Sequence, residues 1–323
     1  MRALFFTFAL LIASSLSTAW AQPVPSHAGI ACISVSAVEP FDMFVWYPAH
    51  EEEVPWQAGP FSVPASRNAA IADGQFPILL LSHGGGRTGG SPLVLRGLAA
   101  YLARQGFIVV SPLHGKTRFP VRPFQIKAAL EAMIADARFK PHANADSLGM
   151  LGFSLGGAVT LELAGAVPDF KHLAAYCKTH PEDIQSCDAG PGGDKGAAPP
   201  KQAQSADLSS PIPRLPLKAL ALLDPFGVLF EQEGLVAVNM PVLLFRPKQS
   251  SLGEENTHAL VEGLPHPPQV HYVPGGHFVL TDICPTALKQ EAPEVCQDAQ
   301  GIDRAAVQAE IEVKIAQFFR DRL

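Results

Sequence analysis

The chain has 323 residues, with 24 basic against 30 acidic side chains and a formal net charge of −6. That mildly acidic balance, without any lysine or arginine block, argues against nucleic acid or an anionic membrane as partner. Hydrophobic residues make up 47% of the chain, enough for one large buried core, and no apolar run is long enough for stable insertion across a bilayer.

The first residues read as a secretion signal. Arg2 is the charged start, Ala3 to Ile12 form the apolar stretch, and Ala19-Trp20-Ala21 is an A-x-A cleavage site before Gln22. The sequence therefore predicts a signal peptide over residues 1–21 and a secreted or periplasmic mature domain over residues 22–323. No internal repeat is visible. The five cysteines are Cys32, Cys177, Cys187, Cys284 and Cys296. In an oxidising compartment they can pair. The sequence-near pairs are Cys177 with Cys187 and Cys284 with Cys296, leaving Cys32 free, but spacing alone leaves unpaired buried thiols open. No Cys/His spacing resembles a zinc site.

Ile30 to Ala37 and Phe41 to Tyr47 read as strands, with Pro48 closing the second, and Glu51 to Gly74 reads as loop. Phe76 to Leu81 is a continuous apolar run, as in a strand buried on both faces. Ser82-His83-Gly84-Gly85-Gly86-Arg87 follows it. A Gly-rich loop at the carboxyl end of a central strand aims backbone N–H groups into a site, as in serine esterases. A plain turn is the bland alternative, and no Walker lysine supports a phosphate cradle. Pro92 to Gln105 is an amphipathic helix, Phe107 to Ser111 a buried strand, and Phe124 to Asp136 a helix. His114, after that strand, reads as a structural or rim histidine.

The most informative stretch is Leu148 to Leu163. An apolar strand ends in Gly152-Phe153-Ser154-Leu155-Gly156, and a helical pattern follows. This is the nucleophile-elbow pattern, in which a strained turn presents the serine at the sheet's carboxyl end, before a helix N-terminus. Residues 165–217 then form an insertion whose later part is dominated by Gly, Pro, Ala, Ser and Gln. It reads as either a lid or a flexible surface loop. The sheet resumes at Leu217 to Leu223, followed by Asp224-Pro225. Met240 to Phe245 and Val270 to Val273 are further strands, Gly275-Gly276-His277 follows the last, and Asp303 to Phe319 is an amphipathic helix. Alternating strands and helices predict an α/β protein with a mostly parallel sheet covered on both faces. The serine needs a base, and His277, late in the chain on a glycine loop, stands where the Ser…acid…His order places it.

In this order, Val45-Trp46-Tyr47-Pro48-Ala49, Leu80 to Gly86, Ser111 to Gly115, Gly152 to Gly157, Leu223-Asp224-Pro225 and Gly275 to Phe278 carry a family resemblance. The chain resembles α/β-hydrolases of the dienelactone hydrolase superfamily, above all the bacterial predicted dienelactone hydrolase group, itself similar to platelet-activating factor acetylhydrolase. The resemblance, which covers almost the whole mature chain except the Gly/Pro-rich excursion, implies an α/β-hydrolase fold, Ser154 as nucleophile and His277 as base. It also implies the N–H groups of Leu155 and Gly85 as oxyanion donors, and no cofactor or metal. The superfamily's founding enzymes use cysteine, so serine here points to ordinary carboxylic esters. The triad acid has two possible origins: Asp224 at a strand end, or Glu254 or Glu255 on the loop after the next strand. The rigidity of a strand end favours Asp224. The expected activity is ester hydrolysis through an acyl-enzyme, on a small-molecule or lipid ester. A peptidase or acyltransferase on the same triad, or an inactive binding protein on the same fold, are the other readings. Oligomeric state leaves no trace in the sequence.

Overall fold

A computed structural model describes residues 27–37, 39–85, 90–187 and 211–323. The expected signal peptide and residues 188–210 of the expected insertion lie outside the described residues. In chain order the strands are β1 (His27–Val35), β2 (Phe41–Ala49), β3 (Pro55–Ala58), β4 (Phe61–Arg67), β5 (Phe76–Ser82), β6 (Ile108–Pro112), β7 (Ala143–Phe153), β8 (Leu220–Leu223), β9 (Val242–Pro247) and β10 (Gln269–Val273). They form one sheet in the order β10-β9-β8-β7-β5-β6-β2-β1-β4-β3. The block from β10 to β6 is parallel throughout. β2 joins it antiparallel to β6, and β1 lies antiparallel to β2.

The apolar runs of the central strands have their reason in this topology. Ile78 and Leu80 of β5 face one hydrophobic core, and Leu79 and Leu81 face the other. Side chains alternate across a strand, so a strand covered on both faces must be apolar at every position. One face is covered by α2 (Arg122–Ala135) and α3 (Leu155–Leu163), through residues such as Ile126, Met133 and Val159. The other is covered by α1 (Arg96–Arg104) and α10 (Arg304–Arg320), through Leu98, Ile311 and Phe319. Each fully buried side chain of this size contributes about 1.5–3 kcal/mol. Between these lie α4 (Phe170–Thr179), α5 (Ile184–Cys187), α6 (Gln232–Leu235), α7 (Glu255–Gly263), α8 (Thr286–Glu291) and α9 (Pro293–Cys296).

The structure corrects one local expectation. The stretch from Glu51 to Gly74, which reads as loop, contains the hairpin of β3 and β4. Its turn is Gly59-Pro60, with Gly59 at φ 57. The prolines tolerated there sit near the sheet's edge, where a missing N–H donor costs little. Two disulfides close short segments: Cys177 to Cys187 joins α4 to α5, and Cys284 to Cys296 spans α8, each with Cα atoms 5.5 Å apart. Cys32 is free and exposed. No helix among the described residues is long and apolar enough to cross a membrane.

The topology also places the candidate residues. The chain runs from β5 to β6 on one side, then returns to lay β7 on the other side of β5. Loops leaving the carboxyl ends of β5 and β7 therefore diverge, opening the crevice where open α/β sheets bind ligands.

Candidate active site

Ser154 occupies the single residue between β7 and α3. Its backbone sits at φ 55, ψ −122, a conformation that costs a non-glycine residue about 1–3 kcal/mol. The surroundings enforce it. Ser154 N–H donates to Leu223 O at 2.9 Å, and Gly157 N–H donates to Ser154 O at 2.9 Å. The flanking glycines permit close approach. A Cβ on Gly156 would lie 1.9 Å from Ser82 O, and one on Gly152 would lie 2.2 Å from Gly156 O. Any side chain there would push α3 away from β5 and β7.

Asp224 follows β8 directly and is fully buried. Its N–H continues the ladder to Phe245 O at 2.9 Å, and its φ of 45 turns the carboxylate out of the sheet. His277 Nδ1 lies 2.6 Å from Asp224 Oδ2. A carboxylate only accepts, so Nδ1 carries the proton and Nε2 is left with its lone pair. His277 Nε2 is buried and has no hydrogen-bond partner among the described residues. The ring is held flat against Phe153, with centroids 4.7 Å apart, and edge-on to Phe278 at 5.0 Å. Glu254 and Glu255 are exposed. Glu255 faces His258 at 3.4 Å instead of His277.

Three residues with no motif of their own complete this arrangement. Arg246 Nη1 donates to Asp224 Oδ1 at 2.8 Å, and its Nη2 donates to Leu252 O at 2.7 Å. Ser250 Oγ donates to Asp224 Oδ2, the oxygen that also meets His277. Gln249 Oε1 accepts from Gly275 N–H at 2.7 Å, tying the loop after β9 to the loop that carries His277. The position where sequence reasoning looked for a later carboxylate thus holds donors that clamp Asp224. Their side chains reach across strands, so no local pattern marks them.

The loop after β5 forms the other wall. Gly85 sits at φ 95, a conformation that favours glycine. A Cβ on Gly84 would lie 3.0 Å from Ser154 Cβ, which places this loop against the elbow. His83 and His114 behind it are both buried. Burial, aided by the charge of Arg122, holds His83 down at about 3. Burial also holds His114 well below the ordinary histidine range, with the His83 and Arg122 charges adding to it. Both are neutral structural groups: His83 Nε2 accepts from His114 N–H at 3.1 Å, and His114 bridges Ser82 Oγ and Gln125 Oε1.

Ser154, Leu155, Gly84, Gly85 and His277 line one cavity of about 540 Å³. Phe61, Phe153, Phe226 and Phe278 give it aromatic walls. Both disulfide-closed segments contribute: Gln185 from α5, and Leu288 and Val295 from α8 and α9. No charged side chain lines it among the described residues. Nor do the described residues contain a group of three or more His, Cys, Asp or Glu placed to hold a metal ion.

No model of a known protein family matches the chain. A search of curated proteins finds no match either. Among solved structures, the chain is similar to a ferulic acid esterase from Streptomyces cinnamoneus, with a TM-score of 0.61 and 18% identity. The likeness covers 94% of this chain and 92% of that one. At that identity it shows the fold: an α/β-hydrolase sheet flanked by helices, as the sequence predicts.

Proposed function

We propose that the protein is an exported serine hydrolase of carboxylic esters. One observation carries the reading: a strained serine and a histidine with a free Nε2, backed by a buried carboxylate at 2.6 Å, share one apolar cavity. In this reading Ser154 Oγ attacks the ester carbonyl while its proton passes to His277 Nε2. Asp224 keeps the imidazole in the tautomer that can accept it and stabilises the imidazolium. The N–H groups of Gly85 and Leu155 hold the oxyanion of the tetrahedral intermediate. That intermediate collapses, the alcohol leaves with the proton from His277, and an acyl-enzyme remains. Water then attacks the acyl carbonyl with His277 again as base, releasing the acid and free Ser154.

The aromatic walls of the cavity, with no charged side chain among the described residues that line it, support a neutral ester with a bulky apolar acid or alcohol as substrate. The ester activity named for the structural neighbour is in keeping with this. Export rests on the N-terminal signal pattern, and the two disulfides support it, since such bonds persist in oxidising compartments. The test is a fluorophosphonate probe followed by peptide mapping, with a panel of p-nitrophenyl esters and matching anilides. Labelling at Ser154, and ester turnover that Ser154→Ala lowers by about three or more orders of magnitude, is the expected result. Anilides cleaved as fast as esters would make it a peptidase, and absence of labelling would remove the hydrolase reading.

A further inference from the structure

Arg122, the first residue of α2, is a cation with no exposed surface. It faces no carboxylate among the described residues, and burial alone pulls it down to about 10. The three hydrogen bonds it makes among the described residues all go to backbone carbonyls instead. Nη2 donates to Gly85 O at 2.6 Å, Nη1 to His83 O at 3.3 Å and Nε to Thr117 O at 3.3 Å. Burying an unpaired charge is costly, so its retention asks for a reason beyond packing. Two of its three partners, the carbonyls of His83 and Gly85, flank Gly84 in the loop that leans on Ser154.

The geometry says what that grip does. The described chain has no cis peptide bonds, so in each peptide the N–H points away from the preceding C=O. Arg122 holds the His83 carbonyl. The next carbonyl, Gly84 O, is held by His83 Nδ1 at 2.7 Å, and that nitrogen carries the proton because Nε2 accepts from His114 N–H. With Gly84 O pinned on the His83 side, Gly85 N–H faces the opposite way. Arg122 then fixes the same residue's carbonyl, so both peptides of Gly85 are anchored. Gly85, at φ 95, has no side chain to restrain it otherwise.

We propose that Arg122 is a positioning residue for transition-state stabilisation: its guanidinium holds the Gly85 loop in the orientation that receives the oxyanion. This rests on the ester-hydrolase reading above. A donor held in place this way matters where negative charge develops and leaves ground-state binding almost untouched.

The experiment compares wild type with Arg122→Lys and with Arg122→Ala, the latter with and without added guanidinium. An aryl boronic acid serves as the tetrahedral inhibitor. Arg122→Lys is expected to lose about 10–100-fold and Arg122→Ala about 10²–10³-fold in kcat, with KM within about threefold of wild type. Boronate affinity should fall in parallel with kcat/KM, and millimolar guanidinium should restore part of the Arg122→Ala activity. A merely structural role would lower the melting temperature without this split. A folded variant with wild-type kcat and boronate affinity overturns the proposal. So does failure of every Arg122 variant to fold, with or without guanidinium, since the residue would then serve folding. Wild-type enzyme that the fluorophosphonate leaves unlabelled at Ser154 would instead remove the hydrolase reading on which the proposal stands.

Discussion

Glu162 offers a stability prediction that its position determines. It is the penultimate residue of α3, the elbow helix, and is 1% exposed. Its Oε2 has no hydrogen-bond partner among the described residues. Burial pushes its carboxyl from 4.5 up to about 8. At neutral pH it is therefore protonated in the folded protein and ionised in the unfolded chain. The folded state binds the extra proton, so stability is fully present below about pH 4.5 and is lost as pH rises through about 8. Each pH unit in that window costs about 1.4 kcal/mol, which amounts to about 3 kcal/mol by pH 7. Glu162→Gln keeps the shape and removes the ionisation. The variant should match the parent near pH 4.5 and exceed it by about 3 kcal/mol at pH 7. For a chain of this size that is a melting-temperature gain of about 5–10 °C. Asp282, raised to about 6 by burial, and Glu312, raised to about 7 mainly by burial, tilt the parent curve in the same direction. The informative quantity is therefore the parent–variant difference across urea or thermal melts from pH 4.5 to 8. Two curves that run parallel over that range would refute a protonated Glu162.

Other expectations concern the site and the staples. Asp224→Asn should lower kcat by up to about 10⁴ because the amide favours the wrong imidazole tautomer, while Glu254→Gln and Glu255→Gln should each cost less than about tenfold. A dead glutamate variant beside an active Asp224→Asn would move the acid to the later loop. Ser250→Ala removes one donor from Asp224 Oδ2 and should cost about 10-fold in kcat with KM little changed. Unaltered kinetics would show that Arg246 alone orients the carboxylate. Non-reducing peptide mapping should find Cys177 linked to Cys187 and Cys284 to Cys296, each bond adding about 2–4 kcal/mol. Alkylation of all four thiols in protein from an oxidising compartment would contradict the pairing.

What the sequence determined is what neighbouring residues encode. The unbroken apolar runs of β5 and β6 announce strands buried on both faces, because alternation makes each position face one core or the other. The Gly-x-Ser-x-Gly turn between strand and helix announces the elbow, since the close approach that excludes a Cβ is made within a few residues or to the adjacent strand. The hairpin of β3 and β4 was hidden by prolines, whose usual meaning is overridden by an edge position that only pairing reveals. The acid stayed open between Asp224 and two glutamates because its partner is 53 residues away along the chain. Which carboxylate meets His277 depends on β8 and β9 lying side by side and on the φ of 45 at Asp224. Arg122, Arg246 and Ser250 carry no signature at all. Their partners are a backbone carbonyl and a carboxylate in loops that follow other strands. A side chain that acts by reaching across strands becomes readable only when the order of those strands is known.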